Sequence, residues 1–349
     1  SPNVAKSSAQ DLVKVCKSFK ELYKDKFRLT YVSGNHDQAI NCYDSLKEMI
    51  IKQMPFMDIK QSFRHYVQED DYAVLARHGH EWDGDCYSLG FYNKVLRKRE
   101  DHELERFSDE SYKIMSIGEV ITAEFMSGLL HYIYQKLDKD KPEEMNFFKR
   151  LKDINNVRPM KNSFEWLLWF IGDKYSKYER IIEDALLQST EGVYKSKFGR
   201  LWDKIKIGDQ TDMFWILNKI ASLRNEKILR KIAGFVGGDD DLPYINGAME
   251  DFKNPEYENI QYIFYGHTHN ALHRFAGGEP GGKSKLYVNT GTYLPFIDRA
   301  SDKSFASAYQ MTLAFVYSKD EDYDKFKGSK PNPFPTLDLW NGIKKKVYS

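Results

Sequence analysis

Phe27-Arg28-Leu29-Thr30-Tyr31-Val32 runs straight into Ser33-Gly34-Asn35-His36-Asp37, and this junction decides how the chain is read. The first six residues alternate and are β-branched or aromatic in part, the pattern of a strand. The next five are turn formers. Two further junctions have the same form. Tyr72-Ala73-Val74-Leu75-Ala76 reads as a short buried strand followed by Arg77-His78-Gly79-His80, and Asn259 to Tyr265 as a strand ending in Gly266-His267-Thr268-His269. Five of the nine histidines lie in these three clusters. Helices are expected over Ala9 to Lys26, where Leu12, Val13, Val15, Cys16, Phe19, Leu22 and Tyr23 recur at helical spacing, and over residues 41–53. Lys285 to Val288 should form another strand, ending in Asn289-Thr290-Gly291-Thr292, and Phe305 to Tyr317 a last strand or hairpin arm. This alternation predicts an α/β layered fold.

Between about residues 91 and 235 the strand pattern fades. Amphipathic Lys/Glu-rich stretches with aromatic anchors replace it at Glu143 to Ile154, Ser163 to Leu187 and Met213 to Ile232. The expected organisation is a core formed by residues 1–90 and 236–349 with a helical insertion at 91–235. Gly237-Gly238-Asp239-Asp240-Asp241 should close the insertion as a loop, and the tail from Gly328, with Pro331, Pro333 and Pro335, should wrap the surface in extended form. Phe164 to Ile171 is apolar on all sides apart from Glu165, so burial or a partner helix is expected.

Composition narrows the function classes. Lys plus Arg is 52 and Asp plus Glu 51, a net charge of +1, which argues against nucleic-acid binding by bulk charge. With 41% hydrophobic residues there is material for a core, so disorder throughout is excluded. Three scattered cysteines, Cys16, Cys42 and Cys86, make neither a disulfide framework nor a Cys-based zinc site and read as buried free thiols. No stretch is long enough to span a bilayer and none reads as a leader. A cytoplasmic location, or secretion into a host cytosol, follows from those absences; the oligomeric state is not legible.

The clusters carry the chemistry. Ligands of open α/β sheets gather outside the carboxyl ends of strands. Imidazole nitrogens with amide and carboxylate oxygens suit borderline divalent metals such as Mn, Fe, Zn or Ni. Taken singly, Gly-Asn-His-Asp is also a plain turn, His-Gly-His a structural element and Gly-His-Thr-His a solvated strand end. Their joint placement after three strands is what points to a site.

Gly34-Asn35-His36-Asp37, His78-Gly79-His80 and Gly266-His267-Thr268-His269 resemble the third, fourth and fifth motifs of the calcineurin-like metallophosphoesterases, over about residues 9–90 and 255–317. The resemblance implies a metallophosphoesterase-type β-sandwich flanked by helices, with two divalent metal ions at the sheet edge, manganese first and Fe, Zn or Ni as alternatives. It implies Asn35, His78 and His267 as ligands of the second metal and His269 as a ligand of the first. His36 would act on the leaving group and Asp37 would orient its ring. His80 would lie behind the ligands facing substrate, or ligate directly. Arg158, in the loop Asn155-Asn156-Val157-Arg158-Pro159, is a candidate grip on phosphate. The family's Asp-x-His and Gly-Asp-x-x-Asp motifs do not occur between Ser1 and Ser33. They are expected upstream of Ser1; a metal-poor relative is the competing reading. The implied activity is a metal-dependent phosphatase on phosphomonoesters, phosphoprotein first. The alternatives are a small-molecule phosphoesterase acting on a nucleotide, diester or pyrophosphate, and an inactive relative serving as a binding module.

Overall fold

A computed structural model describes residues 2–54, 57, 63–93, 103–158, 162–172, 174–197, 200, 242–278, 283–324 and 326–345. The stretches Met213 to Ile232 and Gly237 to Asp241 lie outside the described residues. The fold is mixed α/β with several sheets. Among the described residues the strands are β1 (Tyr31–Val32), β2 (Phe63–Arg64), β3 (Tyr66–Glu69), β4 (Val74–Arg77), β5 (Tyr262–Tyr265), β6 (Leu272–Gly278), β7 (Ser284–Asn289), β8 (Pro295–Arg299), β9 (Phe305–Tyr317) and β10 (Thr336–Lys345). They form a five-stranded sheet in the order β3-β4-β5-β7-β6, a three-stranded sheet β10-β9-β8 and a pair β1-β2. β4, β5 and β7 are mutually parallel and central, so their carboxyl ends share one edge.

Strand periodicity builds two apolar faces on the large sheet. On one face Leu75, Ile263, Tyr265 and Tyr287 pack with Ala248 and Phe252 of the helix Leu242–Lys253. On the other, Tyr262, Leu286 and Val288 meet Val316, Leu337 and Leu339 of the second sheet. Central strands covered on both sides need apolar residues at every position, which explains the run Tyr262-Ile263-Phe264-Tyr265. A buried ion pair joins sheet to helix: Arg77 Nε lies 3.3 Å from Asp251 Oδ2, and Arg77 Nη2 donates to the Tyr257 hydroxyl at 2.7 Å. That pair fixes the helix that carries Tyr244 beside the sheet edge.

The helical middle builds its own core. Ser116 and Glu119 form a capping box at the start of the helical run Ile117–Lys136, whose centre, Ile121–Ser127, is a π-helix. The helix Pro142–Leu151 opens on proline and two glutamates and closes on Lys149 and Arg150, as the helix dipole favours. Ser163 to Leu187 is two helices, Ser163–Ile171 and Glu179–Lys195, because Gly172 turns to φ +40° at the end of the first. Phe164, Trp166, Leu167, Phe170 and Ile171 are buried as expected, while Trp169 is exposed. The same core takes in Ile297 of β8 and Phe305 of β9. The insertion is therefore continuous with the second sheet.

Other expectations are corrected. β1 covers only Tyr31–Val32 rather than Phe27 to Val32, because its one neighbour, β2, offers two rungs. The tail is extended as expected, but from Thr336 it is a sheet strand rather than a wrap: β10 pairs with β9 along its whole length, Thr336 opposite Tyr317 through Lys345 opposite Ala308. Cys16 is buried, but Cys42 is exposed and Cys86 intermediate; all three are free. No helix among the described residues is long and apolar enough to cross a membrane.

Candidate metal centre

Parallel pairing brings the clusters together. The Gly266 and His267 N–H groups both donate to the His78 carbonyl oxygen at 3.0 Å, carrying the β4–β5 contact one step past the named strands. His78 and His267 thus leave the sheet side by side. Asn289, at the end of β7 and fully buried, donates from Nδ2 to Thr268 Oγ1 at 3.0 Å and accepts the Gly291 N–H at 2.9 Å, which holds the Gly266–His269 loop. Asn35 arrives from the other side, on the short 3-10 turn Asn35–Asp37 after β1. Gly34 is required by close approach: a Cβ there would stand 2.8 Å from His78 Nε2. Gly79 has φ +98°, which lets the chain turn directly behind the His78 ring.

Three atoms that offer lone pairs converge. His78 Nε2 lies 3.0 Å from Asn35 Oδ1 and 3.2 Å from His267 Nδ1. Ligand atoms about 2.1 Å from one ion stand about 3.0 Å apart in an octahedron and about 3.4 Å apart in a tetrahedron, so both spacings fit a shared divalent cation. The His78 ring is also held neutral, as ligation needs. Burial, then His267 and His80, pushes His78 well below the usual histidine value.

Asp83 sets the remaining choice, which nitrogen of His267 is free. Its Oδ2 lies 3.0 Å from His267 Nε2 and accepts the Tyr244 hydroxyl at 3.0 Å; its Oδ1 accepts the Asp85 N–H at 2.8 Å and the Cys86 N–H at 3.2 Å. Burial raises the Asp83 carboxyl, but the His267 hydrogen bond and charge outweigh it and hold the group below the usual carboxylate range. An ionised carboxylate can only accept, so His267 donates from Nε2 to Asp83, and in the neutral ring that leaves the Nδ1 lone pair facing His78. Asp83, Cys86 and His267 also place ligand atoms within 4.8 Å of one another. Two features weigh against metal binding by that group. Asp83 is occupied by four donors, and burial pushes the Cys86 thiol well above its ordinary value, keeping it protonated.

The other expected residues fall around this centre. His36 is exposed, within electrostatic reach of His267 and Arg158; desolvation and then His267 lower its pKa. Asp37 does not hold the His36 ring: its Oδ2 accepts the Gly34 N–H at 2.8 Å and caps its own turn. His80 is 4% exposed, with its ring 5.3 Å from that of His78. It is buried beside His78, and burial, then His267, lowers its pKa to about 3. His269 stands apart from the trio and receives a hydrogen bond from Arg158 Nε at Nδ1, 3.1 Å. Burial and then Arg158 lower its pKa to about 3. Arg158 therefore reaches the cluster from the insertion. A relay from Ser33 Oγ to His65 Nδ1, 3.2 Å, and His65 Nε2 to Asp109, 3.3 Å, is no nucleophile system, since Ser33 is 1% exposed. Asp83 and Tyr244 are the residues that sequence reading missed.

Comparison with family models, with curated proteins and with solved structures finds no match.

Proposed function

We propose that this chain belongs to a calcineurin-like metallophosphoesterase and acts as a metal-dependent phosphatase on phosphomonoesters, with phosphoprotein as the substrate class. The observation that carries the reading is the meeting of Asn35 Oδ1, His78 Nε2 and His267 Nδ1, contributed from positions 43 and 189 residues apart, at 3.0 and 3.2 Å. The layering of the large sheet between a helix and a second sheet is in keeping with the sandwich of that family.

Asn35, His78 and His267 would hold one divalent ion and His269 would serve the other, with Mn preferred and Fe, Zn or Ni compatible with the same donors. Such ions, when bound, lower the pKa of a water and offset the charge of phosphoryl oxygens. Asp83 keeps His267 in the tautomer that offers Nδ1. Hydrolysis adds the water oxygen to phosphorus and breaks the bond to the leaving oxygen, which ends with the proton that the water gives up. His36 supplies a hydrogen bond to that oxygen. Its lowered pKa makes it a neutral N–H donor near pH 7 rather than a stored imidazolium. His36 is exposed, which suits a phosphate presented on a macromolecule. The second histidine of Gly266-His267-Thr268-His269 favours the other reading, a nucleotide, diester or pyrophosphate as substrate.

The test is a panel of phosphopeptides, nucleotides, diesters and an aryl phosphate, given to the full-length protein with Mn, Fe, Zn or Ni. Metal-dependent release of phosphate from the phosphopeptides, abolished by chelation, is expected. Turnover confined to small molecules selects the second reading. No turnover with any metal makes the chain a binding module.

A further inference from the structure

We infer that Arg158 is a positioning residue that latches His269: while its guanidinium is docked, His269 cannot ligate a metal, and the insertion thereby sets when that ligand is available. The inference rests on the reading above only for His269 as a ligand.

Arginine stays protonated and its Nε–H can only donate. At 3.1 Å from His269 Nδ1 it requires a lone pair there, so the single proton of the neutral ring sits on Nε2. Ligation through Nε2 would move that proton to Nδ1, directly against the Arg158 N–H. Ligation through Nδ1 would use the lone pair that Arg158 already occupies. Both routes need Arg158 to leave.

The latch is mounted firmly. Arg158 Nη1 donates to the carbonyl oxygens of Asn155, 2.9 Å, and Val157, 2.7 Å, and the Arg158 N–H donates to Ile297 O at 2.9 Å. Val157 is fully buried and bridges Ile297 of β8. The backbone of the loop is therefore bolted to the second sheet, and the guanidinium leaves His269 only by breaking its own hydrogen bonds. His269 itself holds φ +62°, a left-handed conformation that side-chain-bearing residues seldom adopt and that persists only where surroundings impose it.

A phosphoryl group attracts guanidinium bidentately. An oxyanion at the centre would draw Arg158 off His269 and free the ligand, so anion binding and ligation by His269 favour each other. Linkage makes the coupling reciprocal.

The test uses the full chain with 15N-labelled histidine, metal-free, read by long-range 1H–15N spectra. Wild-type His269 is expected as the Nε2–H tautomer. Arg158→Met, which removes the donor and keeps the bulk, should give a mixture of tautomers, and Arg158→Lys should restore the wild-type signal. The His78 and His267 signals, unchanged, report an intact fold. In a zinc titration, ligation by His269 should tighten about fivefold or more in Arg158→Met, and inorganic phosphate should tighten it in wild type by a similar factor. An Nδ1–H tautomer in wild type, or no tautomer change in Arg158→Met, overturns the latch. Absence of zinc at Asn35, His78 and His267 in both proteins would instead sink the phosphoesterase reading, with the tautomer result still deciding the latch.

Discussion

Replacing Asp83 by asparagine should weaken metal binding without removing a ligand. The asparagine Oδ1 can still accept the Asp85 and Cys86 N–H groups, which lie 2.8 and 3.2 Å from the carboxylate now. The other arm changes from acceptor to donor. It faces His267 Nε2 and the Tyr244 hydroxyl, each 3.0 Å from Asp83 Oδ2. Tyrosine can turn its hydroxyl and accept. The imidazole must also accept, so its proton moves to Nδ1, the atom that faces His78 at 3.2 Å. Metal binding then has to reverse that transfer against an opposed N–H. Loss of such an outer partner costs about 10–100-fold in affinity, or about 1.4–2.7 kcal/mol. Calorimetric titration with zinc or manganese measures it, and 15N spectra report the His267 tautomer. An affinity within about twofold of wild type would refute the tautomer argument. A matching loss from Cys86→Ala would relocate the metal to the Asp83, Cys86 and His267 group.

Three further outcomes follow from the same geometry. Full-length His36→Ala should lose about 10²–10³-fold in kcat on an aryl phosphate while its metal content stays near wild type, and an unchanged kcat would remove His36 from the mechanism. Gly34→Ala should displace the His78 ring, since the new Cβ would stand 2.8 Å from it, and should cost about 1–3 kcal/mol of stability along with metal affinity; a wild-type thermal midpoint and titration would contradict this. Acid should unfold the metal-free protein early. His80 and His269 have folded pKa values of about 3, below the usual 6.5, so the unfolded chain binds more protons below pH 6.5 and stability falls as pH drops from there toward 3. For buried His80 this amounts to about 3 kcal/mol by pH 4.5, and a thermal midpoint that stays flat from pH 7 to 4.5 would count against the buried neutral cluster.

The junctions between strand and histidine cluster were legible because both signals are local: apolar residues at strand spacing, then glycine beside a metal-binding residue type. β9 begins and ends where its pattern does, at Phe305 and Tyr317. β10 was hidden because Asp338, Asn341 and Gly342 interrupt its apolar pattern, and its pairing with β9 supplies the order that local preference lacks. The helix break at Gly172 was legible only in hindsight, since a single glycine inside an apolar run is compatible with a continuous helix. Within the site, Asn35, His78 and His267 were readable from their motifs as residues that could meet, whereas the contact of Asp83 depends on a partner 184 residues away. Its one local signal is position, an aspartate in the turn just after His78-Gly79-His80. Arg158 was readable as a loop arginine ahead of proline, but its docking on His269 arises from the bridge between Val157 and Ile297, which no local pattern encodes.

The most direct test of the central claim is anomalous diffraction from crystals of the protein soaked in manganese. The account predicts a peak within about 2.0–2.3 Å of Asn35 Oδ1, His78 Nε2 and His267 Nδ1, with Asp83 still hydrogen-bonded to His267 Nε2. A peak among Asp83, Cys86 and His267, or no peak at the ends of β4 and β5 in crystals that bind manganese elsewhere, would contradict it.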